Sequence, residues 1–358
     1  LADWHLVHLG GFTKGRSGLV VTEATAVNPE GRISPVCLGL WNNEQEASFA
    51  RIARFIVDQG SVPAIQLAHA GRKASTPPPW ERPSHATVPP EAGGWQTVGP
   101  SPLPWGDMTA PLEMSRSEIA QIVDDFATAT RRAHAAGFEI VEIHATHGYL
   151  IHQFLSPLSN TRTDKYGANL IGRSRLLRDI VDSVRDAWPQ HLPLFLRISA
   201  TDWVEDGWSL EESVMLIESL QDPGIDLVDV SSGGLTPDQV IPVGPGYQVP
   251  LARRPREATG VPVAAVGLIT ESSQAEQTLT DPCGRRGRRG LHRAQAPARP
   301  DVAARSRQET GREDLMRWPD QYRSRQVPRK RPMTMRSLEG SCPVQTALPV
   351  PPRKDNLE

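Results

Sequence analysis

Short apolar runs rich in β-branched residues alternate along the chain with longer amphipathic stretches. The runs lie at residues 18–23, 62–67, 139–143, 192–197, 225–230 and 261–266. Each is short enough for a strand and apolar enough to be buried on both faces. Between them the period changes to that of a helix. Residues 44–59 place Phe49, Ile52, Phe55 and Ile56 on one stripe. Ser115 and Glu118 form a capping box that opens a helix to about Ala136, with Ile119, Ile122, Val123 and Phe126 inward. Residues 175–188 and 209–220 predict two more helices, and Gly60, Gly137 and Gly224 stand where C-caps belong.

Strand and helix in this regular alternation imply parallel pairing by right-handed crossovers. The expected fold class is α/β, a (β/α)8 barrel. No Gly-x-Gly-x-x-Gly follows the first run, which disfavours a doubly wound nucleotide-binding sheet. Residues 74–112, rich in Pro and Trp, read as a lid-like excursion. The barrel looks incomplete. The chain begins just before its first visible strand, and the stretch after 280 is an Arg/Ala/Pro mixture with no apolar period, so no eighth strand is expected there. Pro255 is expected to break or kink the helix between the fifth and sixth strand-like runs.

Composition narrows the classes. Lys plus Arg number 39 against 41 Asp plus Glu, a net charge of -2, which argues against a dedicated nucleic-acid binder. No apolar run approaches the roughly 18 residues of a membrane span, and the N-terminus does not read as a signal peptide. Cys37, Cys283 and Cys342 are too few and too scattered for a disulfide framework or a Cys-rich zinc site. The expectation is a soluble cytoplasmic protein with a small-molecule partner, no nucleic acid and no membrane. A homo-oligomer remains open.

In a parallel barrel the functional groups stand at the C-terminal ends of the strands. Those ends carry Glu23-Ala24, Gln66 to His69, His144 to Tyr149, Arg197, Ser231-Ser232-Gly233 and Gly267. The densest group is His144-x-x-His147-x-Tyr149. Two imidazoles can donate to a carbonyl or oxyanion, and a phenol can deliver a proton to carbon. A metal centre would need a third ligand and lacks the helical His-x-x-x-His spacing; a structural network along the rim is the bland alternative. Arg197 ends an apolar strand and needs an anion, either Asp202 or Glu142, or else a cofactor that becomes anionic on reduction. The Gln66 amide either caps strand backbone or reads the edge of a heterocycle. Trp80, Trp95, Trp105 and Trp203 read as loop packing.

Residues 22–27 (Thr-Glu-Ala-Thr-Ala-Val), 66–73 (Gln-Leu-Ala-His-Ala-Gly-Arg-Lys), 142–150 (Glu-Ile-His-Ala-Thr-His-Gly-Tyr-Leu) and 154–167 resemble the Old Yellow Enzyme family, and most of all its bacterial xenobiotic-reductase, NADPH-dehydrogenase branch. The resemblance implies an FMN-containing barrel that takes hydride from NADPH and reduces activated C=C bonds such as those of enones. Carried over, Ala24 and Gln66 would contact the flavin, Arg197 would sit near its N1 and O2, and Gly267 would lie in the phosphate-binding region. His144 and His147 would bind the substrate oxygen, Tyr149 would protonate the α carbon, and Lys73 would border the same mouth. No metal is implied.

The sequence departs from that pattern in three places. The family's first strand is not seen, so Cys37 inherits no redox-tuning role. Residues 167–173 lack the family's Glu and Asn. The Arg-rich stretch, shifted one base forward through permitted codons, yields the family's eighth strand, phosphate-loop Arg and following helix. This suggests a frameshift near residues 281–284 with a return near Asp314. Residues 1–280 are thus expected to form the barrel, 281–312 an irregular frameshifted segment, and 313–358 a mostly disordered tail. With strands one and eight lost, two sheet edges would be exposed and FMN would be held weakly or not at all. The alternative function is then a non-catalytic barrel remnant.

Overall fold

The structure is a computed structural model that describes residues 1–81, 86–222, 224–279 and 291–292. In chain order the strands are β1 (Leu19–Val21), β2 (Thr25–Ala26), β3 (Val62–Ala68), β4 (Val98–Gly99), β5 (Leu112–Glu113), β6 (Ile140–Ala145), β7 (Leu194–Ser199), β8 (Leu227–Ser231), β9 (Val263–Ala265) and β10 (Leu291–His292). The helices are α1 (Asp3–Lys14), α2 (Asn43–Asp58), α3 (Arg116–Ala135), α4 (Leu150–Leu155), α5 (Leu170–Arg173), α6 (Arg175–Ala187), α7 (Leu210–Ser219), α8 (Val249–Thr259) and α9 (Ser272–Leu279). Eight strands form one sheet in the order β1-β3-β6-β7-β8-β9-β10, with β2 also on β3. Every ladder in it is parallel, as the alternation of strand and helix requires. The short pair β4–β5 ties the later part of the 74–112 excursion to its C-terminal end.

Helix ends follow the side-chain chemistry. Capping boxes at Asn42/Gln45, Ser115/Glu118 and Ser209/Glu212 open α2, α3 and α7. Each satisfies backbone donors that have no partner inside the helix, worth about 1 kcal/mol. Gly60, Gly137 and Gly224 all take a left-handed backbone where the chain leaves a helix.

The two faces of the sheet have different occupants. Outward-pointing Ile65, Leu67, Val141, Ile143, Leu194, Leu196, Ile198, Val228 and Val230 merge with the helices into one large core. Inward-pointing Ala64, Ile140, Phe195, Leu227 and Ala264 make a second, smaller cluster, joined by Leu19, Val21 and Val62. This inner cluster is the apolar floor of the barrel. Two residues further along the same strands the interior turns polar: Gln66, Glu142, Arg197 and Asp229 are all buried. Two residues further again come Ala68, His144, Ser199 and Ser231, at the mouth.

Three expectations are corrected. A helix, α1, precedes the first strand, and its Leu6, Leu9 and Phe12 pack on Val20, Ile52 and Ile56. Its signal was weak because two adjacent glycines and two histidines interrupt the apolar spacing. Pro255 neither ends nor divides α8, which runs continuously from Val249 to Thr259. The proline is buried on the core side, where packing of the ring offsets the one helix hydrogen bond it cannot make. Finally, Leu291–His292 does form a strand, parallel to β9 with Leu291 opposite Ala264 and His292 opposite Ala265. Backbone pairing needs no particular side chain, so the ladder forms despite the lack of an apolar period. Ala264 and Ala265 on the β9 edge are therefore paired. Among the described residues no ladder joins β10 to β1. The rest of the Arg-rich stretch and the tail lie outside the described residues.

Candidate active site

The turn after β6 carries the densest chemistry, and the backbone there is tightly specified. His147 and Gly148 both lie in the left-handed region, at φ +56° and +72°. A side chain at Gly148 would meet the carbonyl oxygen of Gly234 at 2.2 Å, so only glycine lets the turn approach the 233–235 loop. Gly148 N–H donates to His152 Nδ1 (2.9 Å), and the other ring nitrogen of His152 lies 2.9 Å from Asp202 Oδ1. Both side chains are fully buried. Asp202 also accepts from Ser156 Oγ and Trp208 N. Burial raises the Asp202 carboxyl, but His152, Ser156 and the Trp208 N–H together hold it below its ordinary range.

His147 is held from three sides. Its N–H donates to Ser199 Oγ (3.0 Å), its carbonyl accepts from Lys73 Nζ (2.9 Å), and its Nε2 lies 2.7 Å from Ser231 Oγ. Ser231 and Ser232 both donate to Gln248 Oε1. With Ser231 already donating, His147 Nε2 is the donor of their shared bond. The imidazole rings of His144 and His147 are 5.7 Å apart, and the Tyr149 ring stands 5.4 Å from His144. The structure therefore brings all three predicted residues together. Burial, and secondarily the charge of Cys37, pushes the Tyr149 phenol up to about 12.

Lys73 joins this group. Its Nζ also donates to the Gly234 carbonyl (3.0 Å) and sits over the rings of Tyr149 and Trp105, at 5.2 and 4.8 Å. Burial, with Arg72 beside it, lowers its pKa to about 8. Trp105 is thus part of the mouth. Trp80 is exposed, and Trp95 packs against Arg32.

Two expectations about the strand ends change. Arg197 pairs with Asp229 (3.0 Å), directly opposite on β8, a partner the sequence did not offer. Asp202 is engaged by His152 instead. Gln66 caps no strand; its Nε2 donates to Glu142 Oε1 at 2.6 Å, again across a ladder. The third rim imidazole, His69, does not join His144 and His147. It accepts from Gly71 N–H and packs on Gly31, and burial lowers its pKa to about 4.

A cavity at the mouth is lined by Ala24, Ala26, Ala68 and Ala70, by Gly31, Arg32, Ile33 and Cys37, and by Tyr149. Arg32, Ile33 and Cys37 follow no strand end and carried no signal in the sequence; only the folding of the 28–40 loop over β3 brings them there. Gly267 lies beyond β9 at φ +116°, and a Cβ there would stand 3.0 Å from the Tyr247 ring and 3.1 Å from Gln248 Nε2. Gln248 therefore links the Gly267 turn to the serines behind His147. Among the described residues no group of His, Cys, Asp and Glu is arranged to hold a metal ion, and no helix is long and apolar enough to cross a membrane.

A parallel barrel with an apolar floor, a buried polar layer and a ring of donors around a phenol has the layout of an enzyme acting on a small organic molecule. Comparison with known proteins specifies the class. The profile of the NADH:flavin oxidoreductase / NADH oxidase family matches residues 4–283. An NADH:flavin oxidoreductase of Gibberella zeae is 43% identical over 77% of this chain and 71% of its own length. An NADPH dehydrogenase of Geobacillus thermodenitrificans is 41% identical over 77% of the chain and 76% of its own. A third relative, an NADPH dehydrogenase of Listeria innocua, is 42% identical over 77% and 76%. Among solved structures, the Old Yellow Enzyme homologue of Zymomonas mobilis superposes with a TM-score of 0.66 at 23% identity, covering 85% of this chain and 83% of that one. A 2-naphthoyl-CoA reductase superposes at 0.76 with 24% identity and 87% of this chain covered, but the chain spans only 47% of that longer protein. At these identities the superpositions show the barrel fold. The chain belongs to the NADH:flavin oxidoreductase / NADH oxidase family and is an oxidoreductase of the Old Yellow Enzyme kind. FMN is the family's cofactor; the Geobacillus and Listeria relatives are named for NADPH and the Gibberella one for NADH.

The residues present suit a flavin. Four alanines and a glycine leave space at the mouth that larger side chains would fill. The buried layer below offers an amide and a guanidinium, the groups that recognise a pyrimidine edge and an anionic ring.

Proposed function

We propose that this chain transfers hydride from NADPH, by way of FMN, to the C=C bond of an enone or a related electrophile. FMN, when bound, supplies the hydride chemistry. Ala24, Gln66, Arg197 and Gly267 would hold it, with Arg197 offsetting negative charge on the ring system. His144 and His147 would receive the substrate carbonyl oxygen and draw charge from the alkene. For His147 this means exchanging its bond to Ser231 for one to substrate. Tyr149 would give its proton to the α carbon, and Lys73 holds the turn that presents both groups.

The observation that carries the reading is the phenol. Tyr149 lies beside His144 and under the Lys73 ammonium, and its raised pKa keeps it protonated across the physiological range. A structural tyrosine would not need both a cavity and the His144 imidazole against its ring.

The test has two stages. The full chain is titrated with FMN, followed by flavin fluorescence quenching, and NADPH oxidation is then recorded with cyclohexenone. Saturable FMN uptake and enone-dependent NADPH consumption are expected. Absence of uptake would favour the barrel remnant. The sheet offers that alternative one observation: β1 has no partner strand on its outer side among the described residues. Uptake without enone turnover would keep the flavoprotein and exclude this substrate class.

A further inference from the structure

The polar layer inside the barrel holds two carboxylates that the proposed reaction does not use. Glu142 and Asp229 point inward from β6 and β8, the two strands that flank β7, and are 2% and 1% exposed. Each stands directly opposite a group assigned to the flavin. Glu142 faces Gln66 and Asp229 faces Arg197 across their ladders. The contacts are close: Gln66 Nε2 to Glu142 Oε1 is 2.6 Å, and Arg197 Nε to Asp229 Oδ2 is 3.0 Å.

Stability does not account for them. The layer immediately below is filled by Ala64, Ile140, Phe195, Leu227 and Ala264, so this interior accepts apolar packing. Burying a carboxylate is costly even when it is paired, and apolar substitutes of similar volume often serve stability as well or better. The pairs do fix two things. A primary amide presents a donor on one side and an acceptor on the other. One N–H of Gln66 is given to Glu142, which turns the amide so that its carbonyl faces the other way, able to accept from a ring N–H. Asp229, with a carboxylate oxygen 3.0 Å from Nε, offsets part of the guanidinium's charge.

We propose that Glu142 and Asp229 are positioning residues of the cofactor site: Glu142 sets which end of the Gln66 amide meets the flavin, and Asp229 moderates Arg197 so that the reduced ring is not over-stabilised. This inference rests on the flavin reading above. A guanidinium with its charge unopposed favours the anionic reduced ring and would make hydride transfer onward to substrate less favourable. An opposing carboxylate keeps the bound cofactor reducing enough to pass hydride on.

The test is made on the full chain loaded with FMN, with two readouts that do not depend on turnover: the Kd for oxidised FMN, and the midpoint potential by dye equilibration. Asp229→Asn is expected to favour reduced over oxidised FMN about tenfold, a positive shift of about 30 mV for a two-electron couple. Asp229→Glu retains the charge and is expected to stay near the wild-type potential. Glu142→Gln lets the facing amide turn over and is expected to weaken oxidised FMN about tenfold, with a smaller change in potential. Folding of each variant is checked by circular dichroism; should Asp229→Asn not fold, Glu142→Gln decides independently through the Kd. Folded variants with wild-type Kd and potential would overturn the inference while leaving the flavin reading intact. Failure of the wild-type chain to take up any FMN would instead overturn the reading on which it rests.

Discussion

Lys73→Met offers a direct test of the mouth's geometry, because the charge it removes is held in an unfavourable place. The ammonium lies over the rings of Tyr149 and Trp105 and donates to the carbonyls of His147 and Gly234. Burial, then the neighbouring Arg72, lowers its pKa from 10.5 to about 8. Between those values the unfolded chain holds the proton and the folded chain does not, so stability rises with pH. Below pH 8 both states are protonated and the slope vanishes; above about 10.5 both are neutral. From pH 7 to pH 9.5 the gain integrates to about 2 kcal/mol in the wild type, and methionine has no proton to lose. Constant effects of the substitution, such as the two carbonyls left without a lysine donor, cancel in the double difference. Tyr149 and Tyr166, both raised to about 12, stay protonated across this range. The measurement is urea unfolding of both proteins at the two pH values. A wild-type gain exceeding that of the variant by about 2 kcal/mol supports the placement of Lys73. A double difference under about 0.5 kcal/mol would show a solvated ammonium and refute it.

Three other outcomes follow from the same geometry. Asp202→Ala leaves His152, Ser156 Oγ and the Trp208 N–H without their shared acceptor in a fully buried site, and should cost about 3–5 kcal/mol in denaturant unfolding; a loss below about 1 kcal/mol would mean the couple is not formed. Gly267→Ala places a Cβ 3.0 Å from the Tyr247 ring at a φ of +116°, so a stability loss of about 1–3 kcal/mol is expected, and an unchanged thermal midpoint would contradict it. Tyr149→Phe removes the proton but not the ring, and should lower the rate of enone reduction by about 10²-fold or more while the half-reaction with NADPH is unchanged. Equal loss in both half-reactions would assign the phenol a structural role.

The sequence by itself determined the elements that local periodicity can encode. The strands at 62–68, 140–145, 194–199 and 227–231 and the capped helices α2, α3 and α7 required only neighbours a few residues apart. The 144–149 cluster was legible for the same reason, since one turn carries all its groups. The tertiary structure decided what depends on which face a strand turns inward. In strands apolar on both sides, parity cannot be read from the chain. The sequence therefore offered Arg197 only Asp202 or Glu142 and passed over Asp229. That carboxylate is 32 residues away in sequence and directly opposite across a ladder. The same holds for Arg32 and Cys37, which reach the cavity only because a loop folds over β3. Pairing partners inside a barrel are set by sheet register, a long-range property that no short window of sequence contains.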